Sequence, residues 1–181
     1  ACKVVSKENL EKESSQKKLS NEIKIHSELV HQNIVKFHKH FNDDLNVYLL
    51  MDLCENTTLS HMMKKRKRLH EIEVKYFAQQ ICKGLIFLHK NNIIHRDLKL
   101  GNIFLGEHMH VKIGDFGLSA QLTHRLQRKT SVCGTPNYIA PEVLDSTRWH
   151  GHSFQSDIWA FGIIIYILLF GRPPFDSEDP K

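Results

Sequence analysis

His95-Arg96-Asp97-Leu98-Lys99-Leu100-Gly101-Asn102 is the stretch on which the reading of this chain turns. It packs a carboxylate, an ammonium, a guanidinium and an amide into one short segment between apolar runs. Downstream stand Asp115-Phe116-Gly117 and then Ala140-Pro141-Glu142. Upstream, Ala1-Cys2-Lys3 opens the chain, and Glu22 lies in a stretch whose Leu19/Ile23 spacing suits an amphipathic helix. Any one of these tripeptides means little alone, but their order and spacing together form a specific pattern.

The surrounding sequence supplies a frame. Residues 1–5 read as the end of a strand, and 8–29 as a largely polar helix. Segments 33–41 and 46–53 read as two strands joined by a turn at Asn42-Asp43-Asp44. Residues 57–67 form a short basic helix. Residues 71–90 form a longer one, with Tyr76, Phe77, Ile81, Leu85 and Leu88 expected on one face. Short apolar runs at 93–95, 103–105 and 111–113, broken by Gly and Asn, read as short strands, and 118–138 as a long loop. A final apolar helix spans about 155–170. Strands first and helices later give an α+β fold, with a small sheet-bearing part and a larger helical part.

Composition excludes several classes. The 181 residues are 41% hydrophobic and 25% charged, which suits one globular domain and not a disordered or collagen-like chain. The four cysteines are scattered without a C-x-x-C pair, which argues against a metal knuckle and for a reducing compartment. The apolar run Ile158–Phe170 is too short to span a bilayer. A net charge of +5 fits anionic ligands or acidic substrates but is too mild to indicate nucleic acid. Lys64-Lys65-Arg66-Lys67-Arg68 is read as a solvated helix face and not as a nucleic-acid patch.

The motif set resembles the protein kinase signature: strand lysine, catalytic loop, DFG segment and APE segment. Lys99 and Thr135 are of the serine/threonine type. Within that class, GTPNYIAPEVL (134–144) is similar to the polo-like kinases. SNEIKIH (20–26), DLCENTTL (52–59), DLKLGNIFL (97–105), VKIGDFGL (111–118) and GHSF (151–154) support it. The resemblance implies a two-lobed fold, residues 1–53 in the first lobe and 54–181 in the second, with ATP and Mg2+ between them. It implies Asp97 as base, with Lys99 and Lys3 as phosphate clamps. Glu22 would hold Lys3 by an ion pair, and Asn102 and Asp115 would be the metal ligands. Met51, Asp52, Leu53, Cys54 and Phe104 would surround the adenine, with Met51 as gatekeeper. Ser131, or Thr130 beside it, would take an activating phosphate that Arg96 meets. Thr135 would sit in the substrate-docking loop.

The same resemblance implies an ATP-dependent enzyme acting on Ser/Thr of protein substrates, in an acidic context. It implies a role in cell-cycle or centrosome control and an intracellular place: cytoplasm, nucleus, centrosome or spindle. The competing reading is a pseudokinase, a scaffold or binding module without turnover. Degenerate Lys, Asp or Asn positions would mark one, and none is degenerate here. A small-molecule kinase is disfavoured by the peptide-docking segment 134–142. The fold is expected to be truncated at both ends. The Gly-rich loop ahead of Lys3 and the last helices beyond Gly171-Arg172-Pro173-Pro174-Phe175 fall outside these residues. Glu142 would then lack its arginine partner, and the segment alone would be poorly folded and nearly inactive.

Overall fold

The structure, a computed structural model, describes residues 1–175; residues 176–181, the tail of the second expected unit, lie outside them. The mixed α+β character is as expected. Strands β1 (Cys2–Ser6), β2 (Phe37–Asn42) and β3 (Asn46–Met51) form an antiparallel sheet in the order β1-β3-β2. The central strand buries Leu49 completely. Between β2 and β3 the Asp43 carboxylate accepts the backbone N–H groups of Leu45 and Asn46 at 2.8 and 2.7 Å. That local capture is why an Asn-Asp-Asp run makes a turn.

Helix α1 (Glu13–Ser27) lies against β2 and buries Glu22, Ile25 and His26. It starts later than the sequence suggests. Ser6 accepts the Glu8 N–H and starts a separate 3-10 turn at Lys7–Leu10. The expected strand over 33–41 is also shorter, beginning at Phe37. Residues 33–35 instead bond across to β6 (Val111–Ile113): Val35 N–H to Ile113 O at 2.9 Å, and Ile113 N–H to Asn33 O at 2.8 Å. This seam ties the sheet-bearing part to the helical part.

In the helical part, Thr58 caps α2 (Leu59–Arg66), whose last turn carries Lys64, Lys65 and Arg66. Exposed cations there suit the negative end of the helix dipole. Helix α3 (Glu71–Lys90) starts with a capping box of His70 and Glu73. It buries Val74, Phe77, Ile81, Leu85 and Leu88, the three-to-four spacing of one helical face. Tyr76 is 43% exposed and does not belong to that face; one residue before Phe77, it is turned by roughly 100°. Helix α5 (Phe154–Phe170) packs on α3 through Ile163, Ile164, Ile167 and Leu168. Gly171, at φ 76°, ends it in the left-handed conformation.

Four short strands lie at the junction: β4 (Ile93–Ile94), β5 (Ile103–Leu105), β6, and β7 (Ala120–Gln121). β5 pairs with β6 and β4 with β7. β7 falls inside the expected loop, because two residues carry no readable periodicity. Helix α4 (Pro141–Leu144) is a single turn started by proline. Among the described residues, no helix is long and apolar enough to cross a membrane.

The α3–β6 contact is close at Gly84, where an added Cβ would meet Ile113 Cδ1 at 2.7 Å and Asn33 O at 3.1 Å. Gly84→Val in the full-length protein is therefore expected to cost about 1–3 kcal/mol. Urea unfolding checks this, and an unchanged midpoint would contradict the packing described.

Candidate active site

The loop after β4 is held by a carboxylate from another element. Asp157, in the first turn of α5, is 1% exposed. It accepts His95 N–H and Arg96 N–H, each at 2.9 Å, and the His89 ring from α3 at 2.9 Å. Arg96 sits at φ 66°, a strained position for a side chain with a Cβ, and the Asp157 bonds hold it there. The His95 ring accepts Asp97 N–H at Nδ1, so its Nε2 carries the proton and donates to Gly114 O at 3.1 Å.

On this platform stands Asp97. Its Oδ2 accepts Lys99 Nζ at 2.8 Å and Asn102 Nδ2 at 3.2 Å, and its Oδ1 accepts the Thr135 hydroxyl at 2.7 Å. Lys99 Nζ also donates to Thr135 Oγ1 at 2.9 Å. Four residues predicted from sequence thus form one network, and Thr135 delivers the downstream segment to it. Asp97 is 9% exposed, so its carboxylate is largely shielded while remaining reachable.

The second network joins β1, α1 and the segment after β6. Lys3 Nζ meets Glu22 Oε1 at 2.7 Å and Asp115 Oδ1 at 3.4 Å. Burial works against the Lys3 charge. Glu22 and, less strongly, Asp115 more than offset it and hold the ammonium above the ordinary lysine pKa. Asp115 adopts φ 62°, a second strained residue in the cleft. Phe116, fully buried, packs between the rings of His26 and His95 at centroid distances of 4.6 and 5.2 Å. His26 donates to Val35 O at 2.6 Å, and burial keeps its ring below the ordinary histidine pKa.

A cleft of about 490 Å³ opens between these networks. It is lined by Lys3, Glu22, Met51, Asp52, Leu53, Cys54, Asn102, Phe104 and Asp115, every residue expected to bind the cofactor or metal. Among the described residues, Asp52 O and Cys54 N–H make no backbone hydrogen bond. They offer an acceptor and a donor two residues apart, a spacing that suits the edge of a planar base. The Asp52 carboxylate is directed elsewhere, to His38 and Lys112. The Cys54 thiol is pushed up by burial and so kept protonated.

A divalent cation fits the oxygen donors present. Asn102 uses its amide nitrogen on Asp97, and neither its Oδ1 nor Asp115 Oδ2 makes a hydrogen bond among the described residues. Two hard oxygens in one cleft suit magnesium, which keeps waters and phosphate oxygens as its other ligands.

Arg96 reaches the segment expected to carry a phosphate: Nη1 donates to Ser131 Oγ at 2.8 Å and Nε to Leu118 O at 2.6 Å. Thr130 is exposed and makes no side-chain contact of this kind among the described residues. Sequence reasoning missed His89, whose place in the last turn of an amphipathic helix gives no local signal. It also missed the partners of Asp52.

Removing the Asp157 carboxylate strands the buried His95 N–H and the half-buried Arg96 N–H. Asp157→Ala is expected to cost about 3 kcal/mol. It should also raise the amide exchange of His95 and Arg96. Unchanged exchange at these two amides would contradict the role given to Asp157.

Comparison with known proteins bears on this geometry. The protein kinase domain family model matches residues 1–181. The chain is 48% identical over all of its 181 residues to the serine/threonine-protein kinase polo of Drosophila melanogaster, covering 31% of that protein. It is 52% identical over 98% of its length to the serine/threonine-protein kinase plk-1 of Caenorhabditis elegans, covering 27% of it. It is 50% identical over 99% of its length to the cell cycle serine/threonine-protein kinase CDC5/MSD2 of Saccharomyces cerevisiae, covering 25% of it. The chain therefore spans less than a third of the length of these relatives. With Lys3, Asn102 and Asp115 lining one cleft, the chain belongs to the protein kinase domain family, and its length aligns with part of serine/threonine-protein kinases of the polo type.

Proposed function

We propose that this chain is the catalytic part of an ATP- and magnesium-dependent serine/threonine protein kinase that modifies protein substrates in cell-cycle control. The observation that carries the reading is the continuity of the two networks. Asn102 bonds to Asp97 on one side and lines the nucleotide-sized cleft on the other.

Each group then has a role that its surroundings support. Lys3, kept charged by Glu22, meets the α- and β-phosphates of ATP. The 52–54 backbone and Phe104 receive the adenine beside Met51 and Leu53. Asn102 and Asp115 hold magnesium, which neutralises phosphate charge when bound. Asp97 orients the acceptor hydroxyl and takes its proton, and Lys99 neutralises charge on the group in transit. Thr135, bonded to both, sets where the acceptor peptide lies. Phosphate on Ser131 would give Arg96 a charged partner and order the segment that carries Thr135. The basic balance of the chain supports an acidic context around the acceptor residue. The family resemblance supports action inside the cell, in the cytoplasm, nucleus, centrosome or spindle, and one relative carries the cell cycle in its name.

Asp97→Asn in the full-length protein keeps the size of the side chain and removes its basicity. Transfer of radiolabelled phosphate to casein is expected to fall by about 10³-fold or more. The affinity for ATP should stay within about twofold. Turnover equal to wild type would remove Asp97 from the mechanism. ATP binding by wild type without any transfer would favour a binding module.

A further inference from the structure

At the back of the cleft lies a cluster of charges with no part in the chemistry above. Asp52 follows β3, and its N–H donates to Lys36 O at 2.9 Å, which continues the sheet by one bond. Its carboxylate then joins two separate pieces of the molecule. Oδ1 accepts His38 Nε2, from β2, at 2.8 Å. Oδ2 accepts Lys112 Nζ, from β6, at 3.3 Å. Partial burial pushes the Asp52 carboxyl up, but the bonds from His38 and Lys112 outweigh this and hold it below the usual carboxylate range. It is therefore ionised near neutral pH.

The register of the β5–β6 hairpin gives this pair its reach. Lys112 is the cross-strand partner of Phe104, which lines the cleft. The Phe104 ring lies close against Gly114, in space that a side chain there would need: a Cβ at 114 would come within 2.9 Å of it. The hairpin thus carries Phe104 and Lys112 as one rigid piece, and Lys112 fastens it to the residue whose backbone faces the same cleft. The gap between Phe104 and the 52–54 backbone is the space a planar base would fill.

We infer that Lys112 and His38 are positioning residues for the nucleotide: through the Asp52 carboxylate they set the spacing between the 52–54 backbone and Phe104, and so the affinity of the cleft for a purine base. The inference rests on reading this cleft as the ATP site. Lys112 touches no reacting group, so its removal loosens ground-state binding and transition-state binding alike. Such a loss shows in KM for ATP and not in kcat. The alternative is a half-solvated ion pair without consequence, the commonest fate of such pairs.

The test uses the full-length protein with Lys112→Met, Lys112→Arg and His38→Ala. Calorimetry with ADP reads affinity directly, and steady-state kinetics reads KM for ATP, KM for peptide and kcat. Lys112→Met is expected to weaken ADP binding and raise KM for ATP by about fivefold, with kcat and peptide KM within about twofold. Lys112→Arg should restore both, and His38→Ala should show a smaller rise. Unchanged ADP affinity in Lys112→Met overturns the inference, as does a higher kcat with unchanged KM, which would make the pair a brake on opening. A loss that tracks a lower melting temperature and is not repaired by Lys112→Arg reduces the pair to a fold contact and overturns it too. If wild type binds ADP but transfers no phosphate, the kinase reading falls while the ADP constants still decide the inference. If wild type binds no ADP, both fall.

Discussion

A single buried carboxylate anchors the rest. Asp157 reaches from α5 to the His95 and Arg96 amides and fixes a loop that its own φ angles would not favour. Asp97, Lys99 and Asn102 follow directly from that loop, so their mutual distances are set by an interaction none of them makes. Arg96, turned by the same bonds, is left pointing at Ser131. The long apolar body of α5 gives Asp157 a rigid base, packed on α3. Core packing and the geometry of the candidate site are therefore linked through one residue, by two backbone N–H bonds.

The sheet-bearing part is coupled to this platform by contacts of two kinds. One is electrostatic: Lys3 bridges Glu22 on α1 and Asp115 after β6. The other is packing: Phe116 fills the space between His26 on α1 and His95 on the loop. Both pass through the Asp115-Phe116 pair, and its strained backbone is held from both sides. A shift of α1 would have to break an ion pair and pull His26 off a buried ring together. Such a joint is prone to two discrete arrangements and resists continuous deformation.

Much of this was legible in the sequence because the chemistry demands particular residue types at short spacing. Asp97, Lys99 and Asn102 sit close along the chain, and so do Asp115 and Phe116. α3 was legible from its apolar three-to-four spacing, β5 from an apolar triplet between Asn102 and Gly106, and β6 from Val111 and Ile113 just ahead of Gly114. What stayed hidden depends on partners far away in the chain. Residues 33–35 read as strand, yet they bond to β6. β7 was too short to show a period. Tyr76 is amphipathic, and its ring reads as core although it faces outward. His89, His38 and Lys112 gain their meaning only from carboxylates 68, 14 and 60 positions away, and no local pattern signals such pairing.

The most direct measurement is a crystal structure of the protein with magnesium and a non-hydrolysable ATP analogue. The account predicts an ion about 2.1 Å from both Asn102 Oδ1 and an Asp115 carboxylate oxygen. It also predicts phosphate oxygens on Lys3 and a base edge against Asp52 O and Cys54 N–H. A nucleotide bound outside this cleft, or a magnesium ion held by neither Asn102 nor Asp115, would contradict it.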